Sequence, residues 1–337
     1  MLGPESIVVW GAGAMGGSVG GWLARQGHDV VFVDSDADHV EAIRSRGLRI
    51  TGPVDEFAVH GPCLLPEEVD GVLRTVLLCV KAHHTAGALD DLAPLLHPQG
   101  FVVSVQNGLN ERIIVDRIGA ERTVGCFVNF GADVVAAGCV MRGNRGACVV
   151  GELNGTVTPR LRRLHSLLRI FEPDAVITEN IWGFLWGKLA YGSMLFGTAL
   201  ADASIASVLG SARHRAVLIG LAREAVAVAR AYQVRVEGFD GFDPRAFGSD
   251  ATDEDAHASL DRLVAFNAGS AKSHSGVWRD LAVRRRRTEV DAQIAPIAEL
   301  GANVGVSTPL TVRLVSLIHD VEEGRRQQSW ETLDALG

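Results

Sequence analysis

The sequence contains no C-x-x-C pair among its five cysteines, Cys63, Cys79, Cys126, Cys139 and Cys148. An odd number without redox-type or metal-type spacing argues against a disulfide framework, and most of the five sit inside apolar runs, so they read as small buried hydrophobes of a reducing compartment. No basic region precedes the first apolar run, which glycines break at once; a secretory signal is not expected, and the expected location is cytoplasmic. Basic residues are in deficit. A formal net charge of −8 repels a polyanion, so no nucleic-acid partner is expected. The longest apolar segment, 181–209, is interrupted by Lys188, Asp202 and four glycines, which makes a membrane span expensive and predicts a buried helix pair instead. His83 and His84 lack further ligands at metal spacing, and no G-x-S-x-G elbow is present, so neither a metal site nor a nucleophilic serine is expected.

What is present suits a folded chain of about two domains. Hydrophobic residues make up 47% and charged residues 21% of the 337 positions, enough apolar material for a large core. The run 6–10 leads directly into Gly11-Ala12-Gly13-Ala14-Met15-Gly16, after which Val19, Leu23 and Ala24 recur at helical spacing up to Gly27. A valine-rich run at 29–33 ends in Asp34-Ser35-Asp36, and 75–80 and 101–105 are further continuous apolar runs. Such runs predict parallel strands covered on both faces, hence an α/β fold with an N-terminal doubly wound Rossmann domain. From 124 to 153, short apolar pieces separated by glycines predict antiparallel strands finishing that sheet. Beyond residue 179 the pattern is helical, with helices expected over 218–231, 281–300 and 311–323 and a loop over 240–255. The predicted division is a dinucleotide-binding domain over 1–179 and an all-helical domain over 180–337.

The G-x-G-x-x-G run has a strand before it, a helix after it and an acid at the end of the next strand, the context that gives the pattern its meaning. Gly11 permits the tight turn, Gly13 the approach of a pyrophosphate to the backbone, and Gly16 close packing of helix on strand, with the amides of Ala14 and Met15 at the helix start facing phosphate. Asp34 stands where a carboxylate accepts from the adenosine ribose, and Asp36 adds a second negative charge; the nearest basic residue is Arg44 in the following helix. This favours NAD over NADP, while a helix-capping role for the two acids is the competing reading.

Three further stretches, Val80-Lys81-Ala82-His83, Gln106-Asn107-Gly108-Leu109 and Leu185-Trp186-Gly187-Lys188-Leu189, together with Arg287-Thr288-Glu289-Val290-Asp291 and the run Gly305 to Pro309, resemble the ketopantoate reductase family over nearly the whole chain. The resemblance implies a Rossmann domain joined to a helical domain and reduction of a 2-oxo acid to a 2-hydroxy acid, with a nicotinamide cofactor that in this family is usually NADPH. It implies that Lys188 donates the proton to the ketone oxygen, that Glu289 positions and tunes that lysine, that Asn107 hydrogen-bonds in the active site, and that Lys81 lies beside the cofactor. The chemistry agrees, because a developing alkoxide needs positive charge and a proton together.

Departures from the family pattern concern the substrate side. Two substrate-contacting asparagines are replaced by Gly192 and Phe196, and of a serine pair only Ser275 carries over, beside Gly276. Phe196, Tyr191 and Trp278 then predict a more apolar pocket. Arg284 to Arg287 are expected mostly to face solvent. The partner expected is therefore a small 2-oxo acid or related carbonyl, with a homodimer as the expected assembly. A same-fold enzyme acting on another carbonyl or imine, and a dinucleotide-binding sensor without catalysis, are the alternatives the sequence leaves standing.

Overall fold

A computed structural model describes residues 2–3, 5–268 and 273–337 of the chain. It divides into two compact units, Met1–Ile181 and Trp182–Gly337.

Twelve strands occupy the first unit: β1 Ile7–Trp10, β2 Val30–Val33, β3 Leu48–Thr51, β4 Phe57–Val59, β5 Cys63–Leu64, β6 Leu73–Leu78, β7 Leu96–Ser104, β8 Thr123–Val128, β9 Ala132–Ala136, β10 Cys139–Arg142, β11 Cys148–Glu152 and β12 Val176–Ile177. Eight of them form the main sheet in the order β12-β11-β8-β7-β6-β1-β2-β5. From β5 to β8 every pairing is parallel, with Trp10 opposite Val33 on one side and Leu78 on the other. All four residues of β1 are buried. Ile7 and Val9 enter one core with Phe32 and Leu23, while Val8 and Trp10 enter the other with Val76 and Ile114. A strand covered on both faces has no polar position, which is why the sequence shows continuous apolar runs there.

The segment 124–153 departs from expectation. Of its strands, β8 and β11 lie in the main sheet, antiparallel to each other, and β12 closes that edge beside β11. The hairpin of β9 and β10 instead joins β3 and β4 in a separate four-stranded sheet, where Val140 pairs in parallel with Ile50. Arg142, at the end of β10, is fully buried, pairs with Glu172 at 2.6 Å and lies 3.8 Å from the centre of the Phe171 ring. Burial lowers its pKa to about 10, with Glu172 as the opposing influence.

The second unit is helical. Ile181–Thr198 and Ile205–Gly210 form the expected buried pair, the latter capped by Ser204 accepting from the Ser207 amide. Arg215–Ala231 and Pro309–Glu322 are tied end to side: Glu224 accepts from the amides of Leu310 and Thr311 and from the Thr311 hydroxyl, placing a carboxylate at a helix start. The single helix expected over 281–300 is three pieces, Gly276–Ala282, Val290–Gln293 and Ala295–Asn303. Arg285 at φ 48° interrupts it, a conformation that an α-helix excludes. Among the described residues no helix is long and apolar enough to cross a membrane, and no cluster of His, Cys, Asp or Glu could hold a metal ion.

Candidate active site

Strand order places the glycine turn. The chain leaves β1 to one side for β2, then returns on the other side for β6, so the turns after β1 and β6 diverge at the carboxyl ends of the strands and leave a crevice there. Gly11 has φ 100°, and a Cβ on it would stand 2.7 Å from the Val80 nitrogen. Gly16 is forced too: a Cβ would meet the Gly11 carbonyl oxygen at 2.0 Å and the Cys79 Cβ at 2.9 Å. Gly13 differs, since its Cβ would find only Val134 Cγ2 at 3.9 Å. The protein's own packing does not demand glycine at this position, so the space above it is free for a ligand. Gly13 begins the helix Ala14–Arg25, whose first turn carries no acidic residue and no side-chain cap, and Ala14 and Met15 are half-buried beside it. Uncapped amides and an open backbone suit a diphosphate.

Asp34 follows β2, half-buried, with one carboxylate oxygen accepting the Asp36 amide at 3.0 Å. Asp36 caps the helix Ala37–Arg46, accepting from the amides of Asp38 and His39. The helix cap is therefore Asp36, while Asp34 bonds the backbone of the turn at the strand end. Arg44 is engaged elsewhere, donating to the Cys63 carbonyl at 2.6 Å and pairing with Glu68.

Lys81 and Asn107 arrive on the next two turns, after β6 and β7, both half-buried. A network that the sequence reading did not identify joins these turns. Gln106 donates to the Val80 carbonyl and to the Thr85 hydroxyl, both at 2.8 Å; Thr85 donates to Asn110, and Asn110 donates to the Asn107 carbonyl at 2.7 Å. Gln106, Thr85 and Asn110 are all buried. The first unit thus gathers Gly11, Gly13, Asp34, Lys81 and Asn107 along the carboxyl ends of four neighbouring strands.

In the second unit Lys188 lies at mid-helix in Ile181–Thr198, half-buried between buried Gly187 and Leu189. Gly187 holds this stretch close to a neighbouring chain segment, since a Cβ there would stand 2.3 Å from the Glu237 carbonyl oxygen. Phe184, Tyr191, Gly192 and Leu195 are the other half-buried residues of the same stripe, four positions before it and three, four and seven after. Phe196 is one position out of phase and only 3% exposed, whereas Leu195 lies on the stripe. Tyr191 packs on Phe239 and Phe242, with ring centres 6.1 and 5.3 Å away. Its hydroxyl bonds the Asn267 side chain, and burial raises its pKa against that bond. Phe239 and Phe242 exchange backbone hydrogen bonds across Asp240 and Gly241, both at positive φ. That is a two-residue hairpin turn, and its Asp-Gly pair is the signal in the sequence that would have located it.

Glu289 is half-buried just before the helix Val290–Gln293. The preceding Thr288 fixes the backbone there, donating from its amide and its hydroxyl to Glu322 at 2.6 and 2.7 Å. Ser275 is buried and caps Gly276–Ala282 by accepting the Trp278 amide at 3.0 Å. Trp278 is half-buried, packs at a tilt against His274 with ring centres 4.0 Å apart and keeps an unpartnered buried indole nitrogen. Arg284 and Arg286 both bond Asp280, and Arg285 and Arg287 are exposed, so the arginine run serves the link before Glu289 and a solvated surface.

Comparison with known proteins places these features in a family. Residues 7–155 match the model of ketopantoate reductase PanE/ApbA, and residues 180–322 match that of its C-terminal region. A 2-dehydropantoate 2-reductase of Mesorhizobium japonicum is 27% identical, over 93% of this chain and 96% of its own. One of Archaeoglobus fulgidus is 28% identical, over 95% of this chain and 99% of its own. Among solved structures, a PanE/ApbA family ketopantoate reductase from Ralstonia eutropha JMP134 superposes with a TM-score of 0.80 at 25% identity, covering 95% of this chain and 99% of that one. D-mandelate dehydrogenase in ternary complex with NADH and anilino(oxo)acetate gives 0.81 at 22% identity, with coverage of 95% and 99%. With an α/β sheet unit, a helical unit and both family models matched in order, the chain belongs to the ketopantoate reductase family.

Proposed function

We propose that the chain is a nicotinamide-dependent reductase of a 2-oxo acid. The observation that carries this is the Gly13 position, open above an uncapped helix start, between two glycines that the protein's own packing does require. A bound reduced nicotinamide supplies the hydride. The chain supplies the rest. Lys188 gives a proton to the carbonyl oxygen as the carbon is reduced, so that ketone becomes alcohol without a free alkoxide. Glu289 holds and tunes that ammonium, and Asn107 orients by hydrogen bonding, roles taken from the family resemblance. Lys81 assists at the cofactor, and Ser275, Tyr191 and Trp278 face the substrate.

The substrate reading follows Tyr191. Packed on Phe239 and Phe242 and bonded to Asn267, it makes an aromatic wall on the Lys188 stripe where Gly192 contributes no polar group. This favours 2-oxo acids with bulkier or aromatic side chains over ketopantoate. Steady-state assays across a panel of 2-oxo acids test it, with a kcat/KM at least tenfold higher for the apolar members as the expected outcome. Efficient turnover of ketopantoate alone overturns it.

For the cofactor we favour NADH. A 2′-phosphate would meet Asp34, and Arg44 is occupied by Glu68 and Cys63. The family's usual NADPH is the competing assignment. The Asp34→Arg variant is expected to shift the NADH-to-NADPH preference toward NADPH by about tenfold or more, measured as the ratio of kcat/KM values. No shift would remove Asp34 from the ribose site.

A further inference from the structure

His39 is 3% exposed and bonded at both ring nitrogens. Its Nδ1 lies 3.1 Å from the Gly138 amide, which can only donate, and its Nε2 lies 3.1 Å from the Ala12 carbonyl, which can only accept. The ring is therefore the neutral tautomer carrying its proton on Nε2. Ala12 is inside the glycine turn, and Gly138, at φ 72°, is the turn of the β9–β10 hairpin. The imidazole pins one to the other. The same hairpin touches the glycine helix twice more: Val140 Cγ2 lies 3.0 Å from where a Gly17 Cβ would be, and Val134 Cγ2 lies 3.9 Å from that of Gly13. Val134 is on the edge strand of its sheet and 40% exposed, an apolar side chain left open beside the one glycine position of the turn that is not packed by protein.

We infer that the β9–β10 hairpin is a wall of the dinucleotide site, with Val134 against the diphosphate and His39 the positioning residue that holds the hairpin in register with the glycine turn. This rests on the dinucleotide reading above. The hairpin belongs to the second sheet, so the site uses both sheets of the first unit. Its contribution is specific: an apolar side chain beside the diphosphate excludes water without adding charge.

Charge substitutions of opposite sign at Val134 test it, because an exposed edge position tolerates either and only a nearby anion makes them differ in direction. With the full chain and NADH in isothermal titration, Val134→Glu is expected to raise the Kd about tenfold and Val134→Lys to lower it about threefold. The opposed shifts should shrink together as salt is raised. His39→Leu is expected to raise the KM for dinucleotide about tenfold, leaving the KM for the carbonyl substrate in place, and His39→Gln, which keeps a donor and an acceptor, should recover part of the loss. Equal or absent shifts in the two Val134 variants, or an unchanged dinucleotide KM in His39→Leu, overturn the inference. If the unsubstituted chain binds neither NADH nor NADPH, it is the dinucleotide reading that fails.

Discussion

Replacing Lys188 by alanine is expected to lower kcat by about a thousandfold or more while dinucleotide binding stays within about twofold. The size follows from the two things the ammonium does. It offers charge to an oxygen that becomes negative and a proton that ends the charge, and a factor of a thousand corresponds to about 4 kcal/mol of barrier. The site protects the comparison from trivial loss of fold. Lys188 is half-buried at mid-helix, alanine is the better helix former, and the buried neighbours Leu185, Trp186 and Leu189 are untouched. Thermal unfolding should therefore be close to that of the parent. Turnover that survives the substitution would place the proton donor elsewhere, and binding without turnover in the unsubstituted chain would favour a sensor.

The second large effect is expected at the glycine turn, where two glycines three residues apart should fail for opposite reasons. A Cβ at Gly16 stands 2.0 Å from the Gly11 carbonyl oxygen, so Gly16→Ala must displace backbone and is expected to cost about 3 kcal/mol of stability. A Cβ at Gly13 meets nothing nearer than Val134 Cγ2 at 3.9 Å, so Gly13→Val is expected to change stability by no more than about 1 kcal/mol, the scale of a weakened helix cap. Yet it fills the space assigned to the diphosphate, and dinucleotide affinity should drop by about a hundredfold or more. Denaturant unfolding and binding, measured on both variants, separate the two roles.

How legible these features were depends on how local their causes are. The sheet around β1 was readable because doubly covered strands must be apolar throughout and because the glycine turn sits in sequence next to the strand and helix that give it meaning. The second sheet was not readable. Its central pairing joins Cys139 to Arg49, 90 positions away, and no local pattern announces which distant strand a short valine-rich piece will choose. The helix expected over 281–300 failed for a similar reason: the apolar spacing is there, but Arg285 takes a positive φ, and the bonds of Arg286 to Asp280 and of Thr288 to Glu322 hold the chain out of the helix beyond it.

At the candidate site the same distinction holds. Lys188 stands out as a candidate from its neighbours, whereas its stripe depended on helical phase, and one residue of phase separates Leu195 from the core residue Phe196. Asn267 and the Phe239–Phe242 turn reach Tyr191 from other parts of the chain. His39 looked like an ordinary helix residue. Its bonds to Ala12 and Gly138 span 27 and 99 positions, and only the folded chain brings those partners to one ring.

The central claim is that a reduced dinucleotide lies across the backbone at Gly13. Isothermal titration of the intact chain with NADH and NADPH, run beside Gly13→Val, tests it most directly. Saturable one-to-one binding that the valine variant loses while still unfolding cooperatively is the result expected. Equal affinity in both proteins, or no uptake of either dinucleotide by the parent, would contradict it.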